Sequence, residues 1–173
     1  MNAGVEFREL IEFTDYERQK WRAWLNERGA AALDIGTGAH CDRAVHTVGE
    51  LIRHIFIAER HHVDRLARKP VTDVSAIPAY DVAALFNFGA ASRRDLVAFV
   101  AAEPAHDWDV PREHEIVPGK SVSVTPRKFL THILLHEFRH WGQIATFTRL
   151  DGAGGARVDF LFSPVMGGDT RNS

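Results

Sequence analysis

The stretch HILLHEFRHWGQI, residues 132–144, places histidines at 132, 136 and 140, a spacing of four. On an α-helix that spacing keeps side chains on one face. With His136 at zero and about 100° per residue, His132 and His140 fall about 40° to either side and Gln143 about 20° away. Phe129 and Phe147 fall about 20° from His136, Ile133 about 60° and Ile144 about 80°. The reading therefore sets the imidazoles along the middle of the apolar stripe of a long helix. Glu137, about 100° round, falls on the flank as an ordinary charged residue facing a neighbouring helix or solvent. The helix opens at Thr125-Pro126, a hydroxyl cap followed by proline at the first helical position, and ends near Asp151-Gly152.

Three further helical patterns precede it. One covers Tyr16 to Asn26 or beyond, with Trp21, Trp24 and Leu25 on a stripe, and a start as early as Val5 is open. A second opens with the capping box Thr47-Val48-Gly49-Glu50 and stops before Pro70. A third follows Asp81, its expected cap. Between the third and fourth, EIVPGKSVSV pairs a Pro118-Gly119 turn with alternating valines, predicting a short hairpin or extended loop. The tail ARVDFLFSPVMGG is expected as loop or one-turn helix. These patterns predict an all-α, antiparallel four-helix bundle, residues 1–173 forming one domain.

Bulk composition narrows the function. A formal net charge of -2 offers no basic footprint for nucleic acid, and no apolar run has the length of a bilayer span. The start MNAGVEFREL has no basic-then-apolar signal, and the lone Cys41 fits a reducing compartment, so a cytoplasmic location is expected.

Imidazoles turned into a bundle interior need partners, because burying an unpaired polar group costs about 1–3 kcal/mol. Two histidines at i and i+4 can grip one metal ion. Three cannot, because His132 and His140 stand about 12 Å apart along the axis. One pair ligates and the third histidine does something else. A facing helix must complete the set. In the second helix His54 and His61 share a face but lie about 10 Å apart, so they cannot share an ion. His54, near the middle beside Leu51 and Ile57, is the expected third ligand. His61 and His62, near the helix end, suit the surface or the helix dipole. His106 and His114, in the polar run HDWDVPREHE, are expected in solvent. The four tryptophans are expected in packing or at an interface.

Two segments carry a resemblance to a known family. HTVGELIRHIFIAERHHVDRL resembles the second helix of the DinB (YfiT-like, metal-dependent) family, where a hydroxyl cap leads to a metal histidine and then an Ala-Glu pair; here these are His54 and Ala58-Glu59. HILLHEFRHWGQIATFTRLDG resembles that family's last helix, and ARVDFLF its closing Asp-Phe segment, Asp159-Phe160. The resemblance implies an up-down-down-up four-helix bundle holding a divalent metal with His54, His136 and His140. It also implies homodimers and, in some relatives, transfer or isomerisation through small thiols. The family's arginine after the last histidine is replaced by Trp141, off the metal face, where a changed helix-end or dimer contact is expected.

The string His136-Glu137-Phe138-Arg139-His140 is also a literal H-E-x-x-H. A peptidase of that type needs a further ligand and a glutamate aimed at the metal's water. No glutamate or histidine follows His140, and Gly142 stands one residue early for the extended form of the motif. A metallopeptidase is therefore the remote alternative. The favoured reading is a three-histidine site for zinc or nickel, with His132 and Gln143 supporting the ligands or facing substrate. It supports a transferase or hydrolase acting on a small, thiol-linked molecule. A non-enzymatic bundle or dimer stapled by the metal is the other class.

Overall fold

A computed structural model describes residues 4–38, 45–102 and 108–167. The elements in chain order are α1 (Phe7–Arg28), α2 (Val48–Leu66), α3 (Val82–Ala102), β1 (Arg112–Val117), β2 (Lys120–Val124) and α4 (Pro126–Leu150), with single 3₁₀ turns at Ala30–Leu33 and Phe160–Phe162. Cys41 and His106 lie outside the described residues.

The helix boundaries follow local chemistry. Thr125 Oγ1 accepts the Lys128 amide at 3.1 Å ahead of Pro126, and Gly152, at φ 80°, turns the chain out of α4. Asp81 Oδ1 accepts the Ala84 amide at 2.9 Å and starts α3. Thr47 caps α2 through the Glu50 amide at 3.2 Å. The return half of that box differs from expectation, since the Glu50 carboxylate takes the amide of His46, at 2.6 Å, rather than that of Thr47. The expected hairpin forms, with β1 and β2 antiparallel and an irregularity between Glu115 and Val117.

Contacts between helices fix their directions. Phe13 meets Phe138 and Trp21 stacks on Trp141, so α1 and α4 run parallel. Phe56 meets Phe86 and Arg60 reaches Asp95, so α2 and α3 run parallel as well. Thr14 bonds Arg93 while Arg22 bonds Asn87, which sets α1 against α3. His54 meets His140 while His62 meets His132, which sets α2 against α4. The topology is up-down-down-up.

Parallel α2 and α3 require the connection 67–81 to travel back along the bundle. It is laced to α2 on the way: Asp64 accepts from Thr72, Arg53 donates to the Val74 and Ile77 carbonyls, and the Ala79 carbonyl closes on Gly49, where a Cβ has no room. Arg65 donates to the Glu115 and Ile116 carbonyls and ties the hairpin to the end of α2.

The core has two apolar halves. Trp21, Trp24, Leu51, Ile55, Phe56, Leu85, Phe86, Trp141 and Ile144 belong to one, and Ile11, Val63, Leu66, Leu96, Phe129, Leu130, Ile133 and Leu134 to the other. Between them lies a charged layer with one member from each helix: Arg18, Glu59, Arg93 and Glu137, all buried. Arg18 donates to Glu137 and Glu59 at 2.8 Å each through Nη2, and Arg93 donates to Glu137 at 2.6 Å. No helix of the described residues is long and apolar enough to cross a membrane.

Candidate metal centre

His54 stands near the middle of α2, and His136 and His140 stand one turn apart on antiparallel α4. The three side chains meet at one point, each offering a ligand nitrogen within 4.8 Å of the others. The His136 Nε2 lies 3.2 Å from His54 Nε2 and 3.1 Å from His140 Nε2. Nitrogens bound to one tetrahedral zinc at about 2.0–2.1 Å stand about 3.3 Å apart, so the donor set fits a divalent ion of that size. The Nδ1 of His140 donates to Gln143 Oε1 at 2.5 Å, which leaves Nε2 as the lone-pair nitrogen facing the other two rings. Burial, then the adjacent His140 and His54, push the His136 imidazole down to about 3, so it is neutral at physiological pH, the form that ligates.

The group sits at the edge of the bundle between α2 and α4. His54 and His136 are half-buried and His140 is buried. This corrects the helical-wheel expectation. The middle of the buried stripe of α4 is Ile133, Glu137, Trp141 and Ile144, while the histidines form its border and His132 is exposed. Glu137 is 2% exposed rather than on a flank. Its carboxylate takes Arg18 Nε at 2.5 Å, Arg93 Nη2 at 2.6 Å and Trp141 Nε1 at 3.0 Å. Burial alone would raise its pKa, but Arg18 and Arg93 outweigh burial and hold the carboxyl below its ordinary value. A glutamate so engaged, a helix face away from the imidazoles, is a core counter-ion and is not aimed at a metal-bound water. Glu59, of the Ala-Glu pair after His54, has the same role, accepting from Arg18.

Trp141 also departs from expectation. It is fully buried, stacked on Trp21 with centroids 5.8 Å apart, rather than at a helix end or a surface contact. Trp24 is buried with it, and Trp108 packs on Phe7 and Phe99, so the tryptophans serve packing. His132 lies between two imidazoles, its centroid 5.7 Å from His136 and 5.4 Å from His62. His62 is half-buried against Phe129, and burial, then His132, push it down to about 3. His61 is tied to the Thr72 carbonyl at 3.1 Å. His114, expected in solvent, is buried against Phe129 because β1 folds under the bundle.

Sequence reasoning passed over Glu17. It is 6% exposed on α1, among aromatic rings. Burial, then the nearby Glu137, push its carboxyl up to about 8. The signal available was its position four residues from both Phe13 and Trp21, inside an aromatic stripe.

Fold and site together define a class: an up-down-down-up helical bundle with a histidine triplet drawn from its second and last helices. The chain belongs to the DinB family, whose model matches residues 1–169. No curated protein matches it.

Proposed function

We propose that the chain binds one divalent ion, zinc or nickel, through His54, His136 and His140, and acts as a metal-dependent transferase or hydrolase on a small, thiol-linked substrate. The observation that carries the reading is the convergence of three Nε2 atoms at a half-exposed edge, with a fourth side chain, Gln143, fixing one tautomer. Among the described residues this group has three members, which leaves coordination positions for a small molecule. When bound, an ion held by three neutral imidazoles keeps its +2 charge and lowers the pKa of a coordinated water or thiol.

The chain's own residues supply the rest. Gln143 orients His140, and Glu137, anchored in the core, fixes the turn of α4 that carries both ligands. His132 is exposed one turn before His136, positioned to face a substrate. Arg139 Nη2 donates to His140 Nε2 at 3.2 Å, a contact that a bound ion would replace, and its positive charge then stands at the rim, suited to an anionic thiol conjugate.

A metal staple without catalysis is the second reading. Against it, the histidines join α2 to α4 alone, whereas the charged layer already links all four helices. Homodimer formation belongs to the same proposal, supported by the large apolar side chains left exposed, Leu135, Leu150 and Leu161 among them. The test is elemental analysis of the purified protein and of His136→Ala, with a small-thiol transferase assay on both. Stoichiometric metal and metal-dependent turnover in the wild type, both lost in the variant, support the reading. Stoichiometric metal without turnover favours the staple, and a metal-free wild type that takes up neither ion overturns both.

A further inference from the structure

A second site lies on the opposite flank of α4, built by α1, α4 and the closing segment of the chain. A cavity of about 370 Å³ opens there, within the usual range for small-molecule sites. Its floor is Phe13, Glu17, Trp21 and Trp141, all buried, and Phe138 and Phe160 rise at its mouth, both substantially exposed. Arg149 and Asp159 also line the mouth, so the rim carries one charge of each sign and Glu17 is the one ionisable group on the floor. Glu17 is 94% removed from solvent by its 6% exposure, and its Oε2 has no hydrogen-bond partner. A buried polar atom of this kind is normally satisfied, and an orphan on a carboxyl that lines a cavity marks a group whose pairing a ligand atom can complete.

The surroundings select the ligand. Five aromatic residues line the cavity with a single buried carboxyl, and aromatic surroundings beside an acid favour an organic cation over an anion. We propose that this cavity binds a small organic ammonium ion, its nitrogen at the Glu17 carboxyl and its apolar body against the exposed Phe138 and Phe160 rings. The site is separate from the histidine group, since none of the three histidines lines it. Its back wall nevertheless shares α4 with them, because Trp141 follows His140 directly. Glu17 gives up its proton to solvent as the cation binds, and the ammonium donates to the resulting carboxylate; no bond within the ligand is made or broken.

Trp21 and Trp141 in the floor give the experiment its readout. The full-length protein is titrated with 2-phenylethylammonium and, separately, with the uncharged 2-phenylethanol, following tryptophan fluorescence. The ammonium is expected to give a saturable change and to bind about tenfold tighter or better than the alcohol. In Glu17→Gln that preference is expected to disappear, with the metal content of the protein unchanged. Because glutamine matches the shape and neutrality of the protonated acid, the variant is expected to fold as well as the parent, checked by thermal unfolding. Equal binding of the two probes by the wild type, no saturable change with either, or a preference that survives in Glu17→Gln would each overturn the proposal. Should Glu17→Gln fail to fold, Trp141→Phe and Phe138→Leu take its place, and ammonium binding indifferent to both overturns it equally.

Discussion

Replacing Glu137 by glutamine separates a core counter-ion from a catalytic base. The carboxylate accepts four donors: Arg18 Nε at 2.5 Å, Arg18 Nη2 at 2.8 Å, Arg93 Nη2 at 2.6 Å and Trp141 Nε1 at 3.0 Å. The layer holds two arginines and two glutamates, so it is neutral as built. Glutamine keeps the shape, but it removes the charge and turns an amide NH₂ toward guanidinium donors. Two arginines then share Glu59 in a region closed to water. Breaking a buried pair in this way costs about 3–5 kcal/mol. Set against a typical domain stability of about 5–15 kcal/mol, that is a large fraction. At about 2–4 °C per kcal/mol for a chain of this size, the midpoint of thermal unfolding falls by roughly 10 °C. Urea unfolding followed by far-UV circular dichroism, with chelator present to remove any metal contribution, measures the effect. Removing Arg18 as well, in Arg18→Met with Glu137→Gln, leaves Arg93 balanced by Glu59 and is expected to recover about 1–3 kcal/mol relative to the single variant. A Glu137→Gln protein within about 1 kcal/mol of wild type would show that Glu137 is no core counter-ion, since that is the scale of an ordinary substitution.

Four further outcomes are expected. Gln143→Leu strips His140 Nδ1 of its acceptor and lowers metal affinity about 10–100-fold in a competitive chelator titration, with secondary structure unchanged. His54→Ala loses the ligand from α2, and elemental analysis shows metal occupancy falling while the fold persists. The raised Glu17 pKa makes stability fall with pH: the folded protein keeps the proton up to about pH 8, while the unfolded chain releases it near 4.5. The contribution is complete below 4.5 and is lost as pH rises through about 8. Denaturation across pH 5 to 8 shows the decline, with a slope of at most about 1.4 kcal/mol per pH unit from this group, and Glu17→Gln flattens it. Finally, Gly89→Ala sets a methyl group 2.7 Å from the Phe56 ring and costs about 1–3 kcal/mol in equilibrium unfolding.

Much of this architecture was written locally in the chain. Thr47, Asp81 and Thr125 each cap a helix through an amide three residues on, and Pro118-Gly119 lies at the hairpin turn, so boundaries and hairpin were readable. The histidine group was readable because the period of α4 brings His136 and His140 together, and His54 lies mid-way along a partner helix. The inward orientation of Glu137 was not readable, because its partner Arg18 is 119 residues away and a hydropathy pattern counts any charge as outward. The same assumption shifted the inferred centre of the stripe onto the histidines. Ile133 and Trp141, four residues to either side of Glu137, were the local hint that the position faces the core. His114 was misplaced because its burial comes from the docking of β1, which no local pattern encodes. Glu17 was passed over because its cover comes from residues near 156–160, far along the chain.

The H-E-x-x-H string is two messages interleaved on one helix. Its histidines address the border of α4, while its glutamate addresses the interior about 100° away. Rotation about the helix axis thus insulates the chemistry of the border from the cohesion of the bundle. A descendant that exchanged His136 and His140 for other residues would lose the three-nitrogen group and keep its scaffold, whereas one that altered Glu137 would endanger both. The letter that looks catalytic in this pentapeptide is therefore the one evolution is least free to reuse.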